Sequence, residues 1–195
     1  MFNNEFTINK DKIKAIIFDF DGVILDSVNI KTDAFRELFN NYSLEIQEKI
    51  VSHHIRNGGM SRFDKIKFYF KEYVKEKLTE EKYEKYLQSF QDIVLKKVLK
   101  CNFIKGSYEF LNNNKDNFMY FVVSATPEQE LNNILVKRNI DSFFIKTYGS
   151  PLSKEVNINT LLDEYNLTSK EVLYIGDSIN DYEACIKTNI LFIGV

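Results

Sequence analysis

Cysteine is almost missing from this chain: Cys101 and Cys185 are the only two in 195 residues, far apart and outside any Cys-x-x-Cys pairing. One bridge between them stays open, but we expect two free thiols in a reducing compartment. An excess of charge of one sign is missing too. With a formal net charge of -2, the sequence offers no electrostatic footprint for nucleic acid or an acidic membrane. No run of about 18 apolar residues occurs, and the polar start MFNNEFTINKDK lacks the apolar core of a signal peptide, so a cytoplasmic protein is expected. There is no internal repeat or low-complexity tract. Tryptophan is absent, while phenylalanine and tyrosine are plentiful and the rest of the composition is that of an ordinary globular protein. A chain of 195 residues suits one compact domain, or a core carrying a smaller insert, and folds without disulfides or a structural metal.

Against these absences stand five short apolar runs: Lys14–Phe20, Phe118–Ser124, Phe143–Tyr148, Glu171–Ile175 and Ile190–Val195. Continuous apolar runs suit strands buried on both faces of a parallel sheet. Amphipathic stretches of helical length, Glu128–Arg138, Val156–Tyr165 and Ile179–Lys187, separate the later runs. The alternation predicts an α/β fold with right-handed crossovers and a Rossmann-like parallel sheet. Residues 28–101 break the rhythm with Lys, Glu, Tyr, Phe and Leu at helical spacing, and predict three or four helices. Breaks are expected near Asn40–Ser43, at Asn57–Gly59 and at Leu78–Thr79, where Thr79 alone marks the next helix start. We therefore divide the chain into a core, 1–27 with 102–195, and an inserted helical cap, 28–101. The last run ends the sequence with no closing helix, which leaves open a truncated C-terminus after Val195 or a thinly covered face.

Four elements at or after predicted strands carry the chemistry. Asp19-Phe20-Asp21-Gly22-Val23 closes the first strand. Residues i and i+2 of an extended segment point the same way, so Asp19 and Asp21 can face one pocket. Ser124-Ala125-Thr126 supplies a hydroxyl and backbone N–H groups for an anionic oxygen, although Thr126 before Pro127 also reads as a helix N-cap. Lys154 follows in the Gly149-Ser150-Pro151 loop. Gly176-Asp177-Ser178-x-x-Asp181 adds two carboxylates.

Together these residues suit phosphoryl transfer. A phosphomonoester dianion repels a carboxylate nucleophile, so a cation is needed, and Mg²⁺ takes a few carboxylates while keeping waters and a phosphate oxygen. Asp19 and Asp177 would be carboxylate ligands, with the Asp21 carbonyl as a third. Ser124 and Lys154 would neutralise the equatorial oxygens. Asp21 would protonate the leaving alcohol and then activate water.

The order DxDGVxxDS, strand-SxT, Lys, GDSxxD resembles the haloacid dehalogenase (HAD) superfamily over residues 13–195. The insert is similar to the helical cap of its phosphoglycolate phosphatase and β-phosphoglucomutase subfamily. The resemblance implies Asp19 as nucleophile, Asp21 as acid/base, Ser124 and Ala125 with Lys154 on the phosphate, and Asp177 on Mg²⁺. It implies Asp181 as a metal ligand or an orienting neighbour. Dehalogenases of the superfamily lack an aspartate at the position of Asp21, which argues for a phosphatase acting on a small phosphate monoester such as a sugar phosphate or phosphoglycolate. The alternative is a sugar phosphomutase, against which stands Lys31 where similar mutases place a histidine. In the cap, Gly59, Ser61 and Arg62 resemble a substrate-specificity loop, and Arg62 offers a fork for a second anion. His53 and His54 are expected on the surface or packed, and Asp26 and Ser27 serve the hinge. The expected partner is a small phosphorylated metabolite, with no nucleic acid or membrane, and the protein a monomer or weak homodimer.

Overall fold

The computed structural model describes residues 12–57 and 60–195. In chain order the elements are β1 Ala15–Phe18, α1 Val28–Leu38, α2 Leu44–Arg56, α3 Arg62–Tyr69, α4 Glu80–Val98, α5 Ser107–Asn114, β2 Met119–Pro127, α6 Glu128–Lys137, β3 Lys146–Ser150, α7 Lys154–Glu164, β4 Val172–Gly176, α8 Ile179–Thr188 and β5 Leu191–Gly194. They fall into two compact units, Leu25–Asn102 and the remainder on either side of it.

The larger unit is built on one parallel sheet of five strands in the order β3-β2-β1-β4-β5. All four residues of β1 are buried, as the central place in a sheet covered on both faces requires. Ala15, Ile17, Phe121, Val123, Ile158, Leu161, Val172 and Tyr174 form the heart of its core. From β1 the chain builds outward through β2 and β3, then returns to add β4 and β5 on the other side. The carboxyl ends of β1, β2 and β4 therefore meet at a switch point, where an open α/β sheet presents a crevice.

Three of the helices in this unit end alike. Asn139, Asn166 and Asn189 have positive φ (55°, 51° and 56°) just beyond α6, α7 and α8. The following residues, Ile140, Leu167 and Ile190, donate their N–H groups back to Leu135, Leu162 and Cys185 and bury their side chains. This is a left-handed helix stop locked by a hydrophobic contact, used three times to turn a helix back toward the sheet. Helix α5, which the sequence pattern did not announce, buries only Leu111. Strand β5 pairs with β4 alone among the described residues and is half-buried. Both cysteines are free thiols.

The elements of the smaller unit are, among its described residues, the helices α1 to α4, with one π-helical turn at Phe70–Val74. The expected breaks at Asn40–Ser43 and Leu78–Thr79 fall between these helices, that at Asn57–Gly59 lies partly outside the described residues, and the Thr79 hydroxyl accepts from the N–H of Lys82 at the start of α4. An aromatic cluster holds the helices together: Phe35 lies 4.4 Å from Phe90 and 5.5 Å from Tyr69, and Phe39 lies 5.2 Å from Tyr86. No helix among the described residues is long and apolar enough to cross a membrane.

Candidate active site

The site is assembled at the switch point. Asp19 follows directly on β1, with its N–H donating to the Ile175 carbonyl at 2.9 Å, so the strand ladder fixes its position. The residue is 6% exposed. One carboxylate oxygen accepts the Phe20 N–H at 2.7 Å, and the other lies 2.9 Å from the Lys154 ammonium. Burial, with Asp181 and Asp21 nearby, pushes the Asp19 carboxyl up to about 6 against the pull of Lys154. Three residues on, Gly22 adopts φ 79°, a conformation open to glycine at little cost, and turns the chain away.

Strand β2 brings the second element. Its ladder with β3 slips between Val123 and Pro127, so Ser124, Ala125 and Thr126 step out of register. Ser124 and Thr126 are buried, whereas Ala125 is exposed. The Ser124 hydroxyl accepts the Thr126 N–H at 3.2 Å, and the Thr126 hydroxyl donates to the Asp21 carboxylate at 3.1 Å. The expectation that Thr126 caps the next helix is thus corrected. The strand runs on to Pro127, helix α6 begins at Glu128, and the threonine hydroxyl serves Asp21 instead. The same i, i+2 argument that paired Asp19 with Asp21 would have paired Ser124 with Thr126.

Lys154 sits not in the loop but at the first position of α7, behind the N-cap Ser153. Its ammonium bridges Asp19 and Asp181. Burial alone would depress its pKa; the two carboxylates outweigh that and hold it above the ordinary value.

Asp177 follows β4 on the exposed side, and Asp181 lies in the first turn of α8, fully buried. One oxygen of Asp181 accepts from Lys154 and from the Tyr174 hydroxyl, and the other from the N–H and hydroxyl of Ser178. Burial raises its pKa, and these donors, Lys154 foremost, outweigh it and hold the carboxyl below the usual range. Ser178 and Asp181 also form a reciprocal cap, so the start of α8 and the aspartate are fixed by the same contacts. Gly176 is required here, because a Cβ on it would come within 2.6 Å of the Asp181 side chain. Tyr174, which the sequence reading did not single out, reaches both Asp181 and the Val123 carbonyl at 2.9 Å, tying β4 to β2 beneath the site.

Asp19, Asp177 and Asp181 bring carboxylate oxygens within 4.8 Å of one another. A set of hard oxygen donors beside a lysine suits a small divalent cation and a phosphoryl group.

In the helical unit, Ser61 caps α3, accepting the Asp64 N–H at 3.1 Å and donating to its carboxylate at 2.6 Å. The Arg62 guanidinium lies over the rings of Phe63 and Phe90, at 5.3 and 5.8 Å. Gly59 lies outside the described residues. His53 stacks on Phe68 at 4.3 Å, a packed role, while His54 bonds to Lys65. Ser27 is buried with its hydroxyl on the Leu25 carbonyl.

The model for haloacid dehalogenase-like hydrolases matches residues 16–195. No curated protein matches the chain in sequence. Among solved structures, a predicted phosphoglycolate phosphatase from Haemophilus somnus is 19% identical, with a TM-score of 0.72 over 94% of this chain and 85% of its own. A candidate β-phosphoglucomutase from Thermotoga maritima is 18% identical, with a TM-score of 0.72 over 93% of this chain and 85% of its own. A candidate HAD-hydrolase from Bacillus subtilis, bound to magnesium, is 17% identical, with a TM-score of 0.71 over 94% of this chain and 88% of its own. At these identities the likeness is one of fold.

Proposed function

This chain belongs to the haloacid dehalogenase-like hydrolases, and on that premise we propose that it is a phosphatase, hydrolysing a small phosphate monoester through an aspartyl phosphate on Asp19. The observation that carries the reading is the Asp19 carboxylate at the end of β1, 2.9 Å from the Lys154 ammonium and within 4.8 Å of Asp177 and Asp181.

Asp19 attacks phosphorus and the ester oxygen leaves, taking a proton from Asp21, whose carboxyl is steadied by the Thr126 hydroxyl. Asp21, now ionised, takes a proton from the water that attacks the acyl phosphate, releasing inorganic phosphate and regenerating Asp19. Lys154 and the Ser124–Ala125 segment hold the equatorial oxygens, which is where most of the catalysis of phosphoryl transfer lies. Mg²⁺, which the carboxylate set fits, would neutralise charge between the phosphoryl group and Asp19 when bound. Asp19, Asp177 and the Asp21 carbonyl are its proposed holders. With every lobe of its carboxylate engaged by a donor, Asp181 is better suited to fixing Lys154 than to leaving its partners for the ion. Arg62, Ser61 and Gly59 are proposed to contact the part of the substrate remote from the phosphorus.

The test is rapid quench with labelled substrate. Wild type should trap an acid-stable, base-labile phosphoenzyme, and Asp19→Asn should trap none and turn over no aryl phosphate. EDTA should abolish wild-type activity and added Mg²⁺ restore it. Near wild-type turnover by Asp19→Asn, or full activity after chelation, would overturn the reading.

A further inference from the structure

Asn157 is a polar residue only 2% exposed on α7, beside Ile158 and Leu161, which pack into the core of the larger unit. A leucine there would be the better helix former and would bury no amide. The amide is kept satisfied by one neighbour: its Nδ2 donates to the Gly149 carbonyl of β3 at 3.2 Å. Where that bond goes gives the asparagine its use.

Gly149 lies where the β2–β3 ladder is out of step, between the pairs Val123–Tyr148 and Pro127–Ser150. Side chains help to hold the strand along this stretch. The Gly149 N–H donates to the Glu128 carboxylate at 3.4 Å, and its carbonyl accepts from Asn157. The two backbones also touch. A Cβ on Gly149 would come within 2.4 Å of the Thr126 carbonyl oxygen and 2.5 Å of the Glu128 nitrogen, far inside van der Waals contact. At Gly149, then, β3 bears directly on the residue whose hydroxyl donates to Asp21 at 3.1 Å. In so close a contact a shift of one backbone moves the other.

On the helix side, Asn157 lies three residues after Lys154, and its own N–H donates to the carbonyl of the N-cap Ser153 at 3.0 Å. Only Pro151, Leu152 and Ser153 join β3 to α7. The end of the strand and the first turn of the helix are therefore tied twice, by this short connection and by the Asn157 amide.

We propose that Asn157 is a positioning residue for Asp21. Its amide holds the Gly149 carbonyl, Gly149 sets the Thr126 backbone from behind, and Thr126 holds the Asp21 carboxyl where the leaving oxygen takes its proton. The proposal rests on the phosphatase reading for the role of Asp21.

The test compares phenyl phosphate with nitrophenyl phosphate, whose leaving groups differ in basicity. kcat/KM covers the steps up to the phosphoenzyme, in which Asp21 gives its proton to the leaving oxygen. The more basic phenolate needs that proton and the nitrophenolate needs it much less. A misplaced general acid shows as a loss graded by leaving group, whereas a merely loosened protein loses both activities alike. In Asn157→Leu, kcat/KM should fall about tenfold for phenyl phosphate and about threefold at most for nitrophenyl phosphate, with one cooperative melt retained. In Thr126→Val protein, where the support is already gone, adding Asn157→Leu should cost less than about twofold more. Should Asn157→Leu fail to fold, Asn157→Ala, which cannot overfill the site, carries both expectations. Equal losses on the two substrates, a wild-type rate on phenyl phosphate, or losses that multiply in full in the double variant would each overturn the proposal. The trapped phosphoenzyme tests the phosphatase reading on wild type alone, so a failure of that reading and a failure of this proposal are told apart.

Discussion

The carboxylate of Asp21 must give up a proton in one half of the proposed cycle and accept one in the other, so the group that fixes its rotamer matters. One such group is the Thr126 hydroxyl, on a strand more than a hundred residues away in sequence and itself 3% exposed. Thr126→Val removes the donor and keeps the shape. A hydrogen bond to a charged group contributes about 1.5–3 kcal/mol, and part of that is replaced by water. We expect kcat for an aryl phosphate to fall roughly tenfold, about 1.4 kcal/mol, with the melting temperature little changed. Wild-type turnover by this variant would show that Asp21 needs no such support. At this scale the reacting groups were legible in the sequence, because a DxD after an apolar run and a GDSxxD after another state their spacing openly. Their supports were not. Thr126 carried a competing local signal from Pro127, and Tyr174 sits in an apolar run where a hydroxyl leaves no periodic trace. Lys65 looked like any other charge on an exposed helix face, since only packing reveals which lysine of a Lys-rich helix turns inward.

Elements show the same division between what is written locally and what packing decides. Strands β1, β2 and β4 are readable because they are buried on both faces, and the helices of the core end at an asparagine before a buried Ile or Leu, a signal repeated at Asn139, Asn166 and Asn189 that could have sharpened the boundaries. Helix α5 escaped notice because one buried leucine makes no periodic stripe. In the helical unit the packing of α2 on α3 has a consequence for stability against pH. His54 is held near 4 in the folded chain, chiefly by burial, against an ordinary value of 6.5. Between those values the unfolded chain binds a proton that the folded one refuses, so stability falls as pH drops from 6.5 to 4 and the loss stops below that. One such group contributes at most about 1.4 kcal/mol per pH unit, and less where water reaches the ring. His53 is shifted the same way, again by burial first, and is present in both proteins compared. Urea melts should therefore show wild type losing stability faster than His54→Gln across this window. Parallel curves would mean that the His54 ring takes up its proton in the folded state as readily as in the unfolded one.

The whole molecule is a core interrupted once. The chain leaves the larger unit at Ile24 and re-enters at Phe103. On the core side of that interruption the Ile24 carbonyl accepts both the Ile104 N–H, at 3.0 Å, and the Ser107 hydroxyl, at 2.9 Å. The two ends of the core are therefore already joined by hydrogen bonds that the insert does not supply. Every member of the core cluster from Ala15 to Ile190 belongs to the larger unit, as do Asp19, Asp21, Ser124, Thr126, Lys154, Asp177 and Asp181. A chain in which residues 25–102 are replaced by a Gly/Ser turn of about four residues, an ordinary connection length, should then fold on its own. Shortening the closed loop also lowers the entropy cost of bringing Ile24 to Ile104. We expect a single cooperative melt and hydrolysis of a generic aryl phosphate that depends on Mg²⁺ and on Asp19. What should disappear is preference among phosphorylated metabolites, because Arg62, proposed to contact the substrate, leaves with the insert. A panel of phosphomonoesters, with and without a second anionic group, measures that preference in the full chain and in the shortened one. A folded core inert toward the aryl phosphate would show that the helical unit supplies part of the chemistry. An unchanged ranking of the panel would place selectivity in the core. A core that does not fold would mean that the Ile24 contacts and the cluster around β1 are too weak without the insert, and that the two units are one folding unit.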